Sequence, residues 1–121
     1  MNINLKYFQV IMIITCLLFG LRSLMAQQQK TDTVSIKTSA VCSMCKERIE
    51  QGLAFEKGIK DVNLDLSTKI VKVIYNTGKI TPEAIRKKIT SLGYDADDLQ
   101  ADVKAYNKLP SCCKKDASGD H

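Results

Sequence analysis

Between residues 33 and 38, Val34 and Ile36 alternate with polar neighbours, the period of a half-buried strand. Beyond two cysteines the period changes. Cys45, Ile49 and Leu53 recur at every fourth position, with Lys46, Glu47 and Glu50 on the other side, which predicts an amphipathic helix. Gly58 ends that segment, and Val62, Leu64 and Leu66 then alternate with Asn63 and Asp65 until Ser67, Thr68 and Lys69 form a turn. In the next run, Val71, Val73 and Tyr75 share one face while Ile70, Lys72 and Ile74 share the other, so the two runs form a hairpin. A second helix starts at Thr81 as N-cap with Pro82 in its first position, buries Ile85, Ile89 and Leu92, and stops at Gly93. Residues 94–99 place Tyr94 and Ala96 among Asp95, Asp97 and Asp98, which suits a charged edge strand.

The order strand, helix, strand, strand, helix, strand is that of an α+β, ferredoxin-like βαββαβ sandwich. Its expected form is an antiparallel four-stranded sheet with two helices on one face, spanning residues 33–99. Residues 27–32 read as a polar linker. Residues 100–121 read as a cysteine-containing tail with one helical turn near residues 103–106 and a break at Pro110. A core of this size is modest, so a bound ligand adds usefully to stability.

The N-terminal 26 residues have a different character. Lys6 precedes an apolar run over residues 10–21, then come Arg22 and a small residue, Ala26, the layout of a cleaved export signal. The run is shorter than the roughly 20 apolar residues of a membrane span, although an uncleaved anchor is the alternative. Cys16 lies inside this run and reads as part of the signal core. The expected localisation is therefore exported and periplasmic, after removal of the signal.

Charge then excludes one class of partner. The chain has 18 Lys and Arg against 13 Asp and Glu. Losing Lys6 and Arg22 with the signal leaves 16 against 13, a net charge of +3. The basic residues are scattered and lack aromatic interleaving, so nucleic acid is not the expected partner.

Export also sharpens the meaning of the four remaining cysteines, because thiols outside the cytoplasm tend towards disulfides unless a metal or reductant intervenes. They stand as one C-x-x-C, Cys42 and Cys45, and one adjacent pair, Cys112 and Cys113. With Ser43 as the N-cap, Cys45 falls in the first turn of the first helix, where free N–H groups and the helix dipole favour a thiolate; Lys46 adds positive charge. Two thiolates at this spacing converge on one ion. Soft sulfur selects Cu(I) first, with Zn(II) as the alternative, over oxygen-seeking magnesium or calcium. Two protein ligands leave the ion open to attack by incoming cysteines, whereas a structural zinc site closes with four.

Ser39, Ala40, Val41, Cys42, Ser43, Met44 and Cys45, followed by the strand and helix pattern as far as Leu92, Gly93 and Tyr94, resemble the heavy-metal-associated domain family. The resemblance implies a ferredoxin-like fold, no catalysis, and Cys42 and Cys45 as metal ligands. It also implies Tyr94 as an aromatic neighbour of the metal loop, and adds Hg(II) to the candidate ions through the family's mercury-binding members. A membrane metal transporter or another C-x-x-C domain becomes the expected partner. One position departs from the pattern: Ala40 stands where the family usually has Met, and Met44, between the cysteines, is expected at the surface.

Other readings stay open on the residues alone. The same cysteine pair suits a thiol–disulfide redox protein of thioredoxin type, but the mature chain offers only Pro82 and Pro110, neither placed to serve as the cis-proline facing such a site. Cys112 and Cys113 are candidates for additional metal ligands or for a disulfide to the first pair, against an exposed tail or a separate site. If the last strand runs back along the first, the tail must return about 20 Å, which the thirteen residues from Leu99 to Cys112, reaching at most about 43 Å, can span. A monomer and a metal-bridged homodimer both satisfy an open two-thiolate site.

Overall fold

A computed structural model describes residues 4–20 and 30–115. Ala26 and His121 lie outside these residues. The first helix, α1 (Leu5–Gly20), carries the apolar run and presents Leu5, Phe8, Ile11 and Leu18 as exposed side chains. No helix among the described residues is long and apolar enough to cross a membrane.

The alternating segments form β1 (Thr31–Lys37), β2 (Ile59–Asp65) and β3 (Ile70–Asn76). They assemble into an antiparallel sheet in the order β1-β3-β2, with β3 in the centre. Register follows the hydrophobic pattern. Val71 stands opposite Ile36 on one side and Leu64 on the other, and Val73 stands opposite Val34 and Val62. A slip of one residue would turn this set towards water, so burial of one face fixes the pairing. β1 begins at Thr31, so the expected linker contributes its last two residues to the sheet.

Above that face lie α2 (Ser43–Ala54) and α3 (Pro82–Ser91), in contact with each other. Cys45, Ile49 and Leu53 from α2 and Ile85 and Ile89 from α3 are buried in one cluster with Ile36, Leu64, Val71 and Val73. Leu92, expected in the stripe of α3, is half-buried against this cluster. The start of α3 is as its sequence requires: Thr81 is extended, and its hydroxyl accepts the Ala84 N–H at 3.2 Å. Thr81→Ala leaves that donor without its partner and should cost about 1 kcal/mol. The melting temperature should therefore fall by about 4–8 °C, and an unchanged value in thermal unfolding would refute the assignment.

The expected fourth strand is a correction. Residues 94–99 do not form a strand; they contribute only bridges of Ala96 to Thr38 and to Leu99. Asp97 explains the change. It adopts φ 50, leaves extended geometry, and closes a tight turn in which Ala96 and Leu99 exchange hydrogen bonds of 2.9 Å. Its N–H donates to the Lys37 carbonyl at 2.9 Å, while its carboxylate accepts the Lys37 N–H at 2.9 Å and Arg86 Nε at 2.8 Å. One aspartate thus satisfies both backbone groups of Lys37 at the end of β1, where a longer strand would have paired.

Because the chain turns there, the tail never has to travel back along the sheet. Ala101 N–H donates to Asp95 Oδ1 at 2.9 Å, and Asp102 N–H donates to the Thr90 carbonyl at 3.0 Å. A short helix, α4 (Val103–Asn107), follows with Asp102 as its N-cap, and a 3-10 turn, Ser111–Cys113, comes after Pro110. Leu109 and Cys113 enter the main core, at 5% and 1% exposure. The stretch expected as a cysteine-containing tail is therefore, over residues 101–115, part of the domain's packing.

Candidate metal centre

Cys42, Cys45, Cys112 and Cys113 come together at the N-terminus of α2, all as free thiols. Cys42 is the N-cap, with φ −147 and ψ 170, and Ser43 is the first helical residue; the expected roles of these two neighbours shift by one position. Ser43 therefore does not cap the helix through its hydroxyl. Cys42 contributes its carbonyl, which accepts the Lys46 N–H at 3.1 Å, and projects its half-buried thiol from the loop. Cys45, one turn into the helix, is fully buried. Their Sγ atoms are 3.2 Å apart.

Cys113 Sγ lies 3.8 Å from Cys42 Sγ and 4.0 Å from Cys112 Sγ. The thiols of Cys42, Cys112 and Cys113 all lie within 4.8 Å of one another. Met44 is 45% exposed, and its Sδ receives the Cys112 thiol at 3.9 Å. Sulfur atoms thus run from the buried side of the loop to the surface. The Lys46 side chain engages a neighbouring carboxylate: its ammonium is 3.8 Å from Glu50 Oε1, an oxygen that also accepts the Leu64 N–H at 2.8 Å.

Tyr94 is completely buried, and its hydroxyl has no hydrogen-bond partner. Burial, followed by the neighbouring Cys113 and Cys45 sulfurs, pushes its ionisation well above the ordinary phenol range. Burial chiefly, together with Cys45, likewise pushes the Cys113 thiol up. An unpaired buried hydroxyl costs about 1–3 kcal/mol, and a thiolate bound to a cation is a better acceptor than a neutral thiol. The all-sulfur donor set and this unpartnered hydroxyl fit a soft metal ion.

The second cysteine pair is held in place from below and from the side. Gly93, at φ 101, permits the chain to leave α3, and a Cβ there would come within 3.0 Å of the Ala105 carbonyl oxygen. Lys115 Nζ reaches Asp95 Oδ2 at 2.6 Å, and Lys115 N–H donates to Tyr106 Oη at 3.1 Å. Burial raises the Asp95 carboxyl's affinity for a proton, but the Lys115 ammonium and the Ala101 N–H outweigh it and hold the group below its usual range. The anchors Asp95, Tyr106, Leu109 and Lys115 were missed by reading the sequence. Only Leu109, a lone aliphatic residue before Pro110 in a polar stretch, gives a local signal.

The pattern of the heavy-metal-associated domain matches residues 38–95. A copper-exporting P-type ATPase of Bacillus subtilis (strain 168) is 42% identical over 72 residues, 60% of this chain and 9% of that protein. The matched region is therefore about a tenth of that relative's length. Copper chaperone CopZ of Staphylococcus epidermidis (strain ATCC 35984) is 33% identical over 54 residues, which cover 45% of this chain and 79% of the chaperone. Among solved structures, oxidized MerP from Ralstonia metallidurans CH34 aligns with a TM-score of 0.54 at 20% identity, over 56% of this chain and 96% of its own, a likeness of fold. With CopZ matched over most of its length and the cysteine loop inside the matched region, the chain belongs to the heavy-metal-associated domain family.

Proposed function

We propose that this protein is an exported metal-binding protein that sequesters or shuttles Cu(I), with Cys42 and Cys45 as the primary ligands. The observation that carries the reading is the pair of free thiols 3.2 Å apart at the start of α2, in a chain similar to a copper chaperone. On binding, each ligating thiol gives up its proton and the sulfur lone pair fills an empty position on the ion. Transfer then proceeds by exchange. An incoming thiolate forms a new sulfur–copper bond, one of the existing bonds breaks, and the freed sulfur takes up a proton, so copper is never released to water. No redox change and no bond-breaking in a substrate is involved.

A membrane metal transporter or a second C-x-x-C domain is the partner this chemistry suits, since either can present thiolates. The B. subtilis ATPase supports that choice, because its similar segment sits within a copper exporter. The same donors accept Hg(II), another soft ion. Export rests on the N-terminal pattern of Lys6, the apolar run and Ala26.

Native mass spectrometry of the reduced, anaerobic protein with Cu(I) tests the reading. Wild type should bind copper, and Cys42→Ser/Cys45→Ser should lose at least about 100-fold in affinity, measured by competition with a Cu(I) chelator. Equal binding by the double variant, or no binding by wild type, would overturn it.

A further inference from the structure

The family pattern accounts for two of the four clustered thiols, and the segment that brings in the others is anchored to the core. Cys113 is as buried as the core aliphatics, yet its sulfur faces Cys42 at 3.8 Å rather than apolar side chains alone. Cys112, on the adjoining residue, stays exposed at 4.0 Å from it. We propose that residues 101–115 form a ligand-bearing latch: Cys113 supplies a third thiolate to the ion held by Cys42 and Cys45, and Cys112 stands at the mouth as the exchange thiol through which the metal enters and leaves. This rests on the soft-metal reading of the same site and adds to it a coordination number and a retention device.

Distances support a higher coordination number. With metal–sulfur bonds of about 2.3 Å, two ligands in line place their sulfurs about 4.6 Å apart, three in a plane about 4.0 Å and four in a tetrahedron about 3.8 Å. Within the proposed set, Cys42 and Cys113, 3.8 Å apart, already stand at the spacing of the third arrangement and not of the first, and Cys42 and Cys45, at 3.2 Å, have only to spread by a fraction of an ångström to reach it. Tyr94 points the same way: it is buried in one cluster with Cys45 and Cys113, and its hydroxyl is left without a partner there.

The latch is held by contacts that lie outside the thiol cluster. Leu109 fills the core, Asp102 N–H binds the end of α3, and Lys115 pairs with Asp95 at 2.6 Å. A bare two-thiolate loop exposes its ion to any incoming thiol, whereas here a partner must first displace Cys112 or lift the segment. Cys112 is also the outermost of the four thiols, next to Met44 Sδ at 3.9 Å, which gives an arriving ion a soft path inward.

The decisive experiment uses the reduced full-length protein loaded with one equivalent of Cu(I). X-ray absorption should give three sulfur ligands for wild type and for Cys112→Ser, and two for Cys113→Ala. Withdrawal of copper by excess bathocuproine disulfonate should be at least about tenfold faster from Cys113→Ala than from wild type. Cys112→Ser changes an exposed side chain; it should retain its three sulfurs but slow both loading and thiol-driven release, and unchanged rates would remove the exchange role from Cys112. Two sulfurs in wild type, with withdrawal rates equal in Cys113→Ala, would overturn the latch while leaving the Cys42 and Cys45 site intact. Three sulfurs persisting in Cys113→Ala would assign the third ligand to another sulfur, Cys112 or Met44, and overturn it as well. Failure of wild type to bind Cu(I) would end both this inference and the reading on which it rests.

Discussion

Gly93→Ala should lower the melting temperature by about 8–32 °C and expose Cys113. Two costs combine. An L-residue at φ 101 leaves the favoured backbone regions, at about 1–2 kcal/mol, and the new Cβ meets the Ala105 carbonyl oxygen at 3.0 Å and its carbon at 3.1 Å. Leu109 Cγ, also 3.1 Å away, can shift, but the α4 backbone moves only as a unit. The sum is about 2–4 kcal/mol, which for a domain of this size corresponds to that fall in melting temperature. The cheaper escape is for α4 to lift away, and it would carry Cys113 with it. Alkylation of the apo protein followed by mass spectrometry should therefore show Cys113 reacting faster in the variant. A melting temperature within about 2 °C of wild type, with Cys113 still protected, would contradict the packing role of Gly93.

Copper loading should produce the second large effect, a rise in melting temperature of about 15–30 °C that a strong Cu(I) chelator reverses. A ligand that binds only the folded state stabilises it by about 4 kcal/mol when its free concentration is roughly a thousand times its dissociation constant. In a domain with about 4–8 °C of melting temperature per kcal/mol, that gives the expected shift. The domain is poised for it because burying Tyr94 beside Cys45 and Cys113 leaves the tyrosine hydroxyl unsatisfied. Binding as proposed would turn that cost into a hydrogen bond and join α2 to the C-terminal segment. The Cys42→Ser/Cys45→Ser variant should show no rise at all. A wild-type shift below about 2 °C at saturating copper would mean that the metal is not held within the folded core.

Local signals account for part of this picture. The βαββα portion was legible because each segment has its own period and its own stop signal: Val71, Val73 and Tyr75 are buried on one face of β3, and Thr81 caps α3 through its side chain. Cys42 and Cys45 were legible for a similar reason, since two thiols three positions apart at a helix start converge whatever surrounds them. The one-residue error at Ser43 arose because a serine is the better side-chain cap by propensity, yet the backbone there turns at Cys42.

Residues 94–99 were misread because their alternation is the same for an edge strand and for a turn stabilised from a distance. Asp97 chooses the turn through Lys37 and Arg86, partners 60 and 11 positions away. The C-terminal segment is harder still to read. Asp95 and Lys115 look like solvated charges, and Cys112 and Cys113 like a polar-tail pair, until the turn at residues 96–99 brings the chain back to the metal loop.

Sequence by itself determined the order of elements from β1 to α3, the buried face of each and the convergence of Cys42 and Cys45, because periodicity, capping and short-range spacing act within a few residues of chain. Tertiary structure alone decided that a fourth strand gives way to an aspartate-stabilised turn and that Cys113 is buried 3.8 Å from Cys42. That contact joins residues 71 positions apart, and such a closure is fixed only by the packing of Leu109, the geometry of Gly93 and the pairing of Asp95 with Lys115.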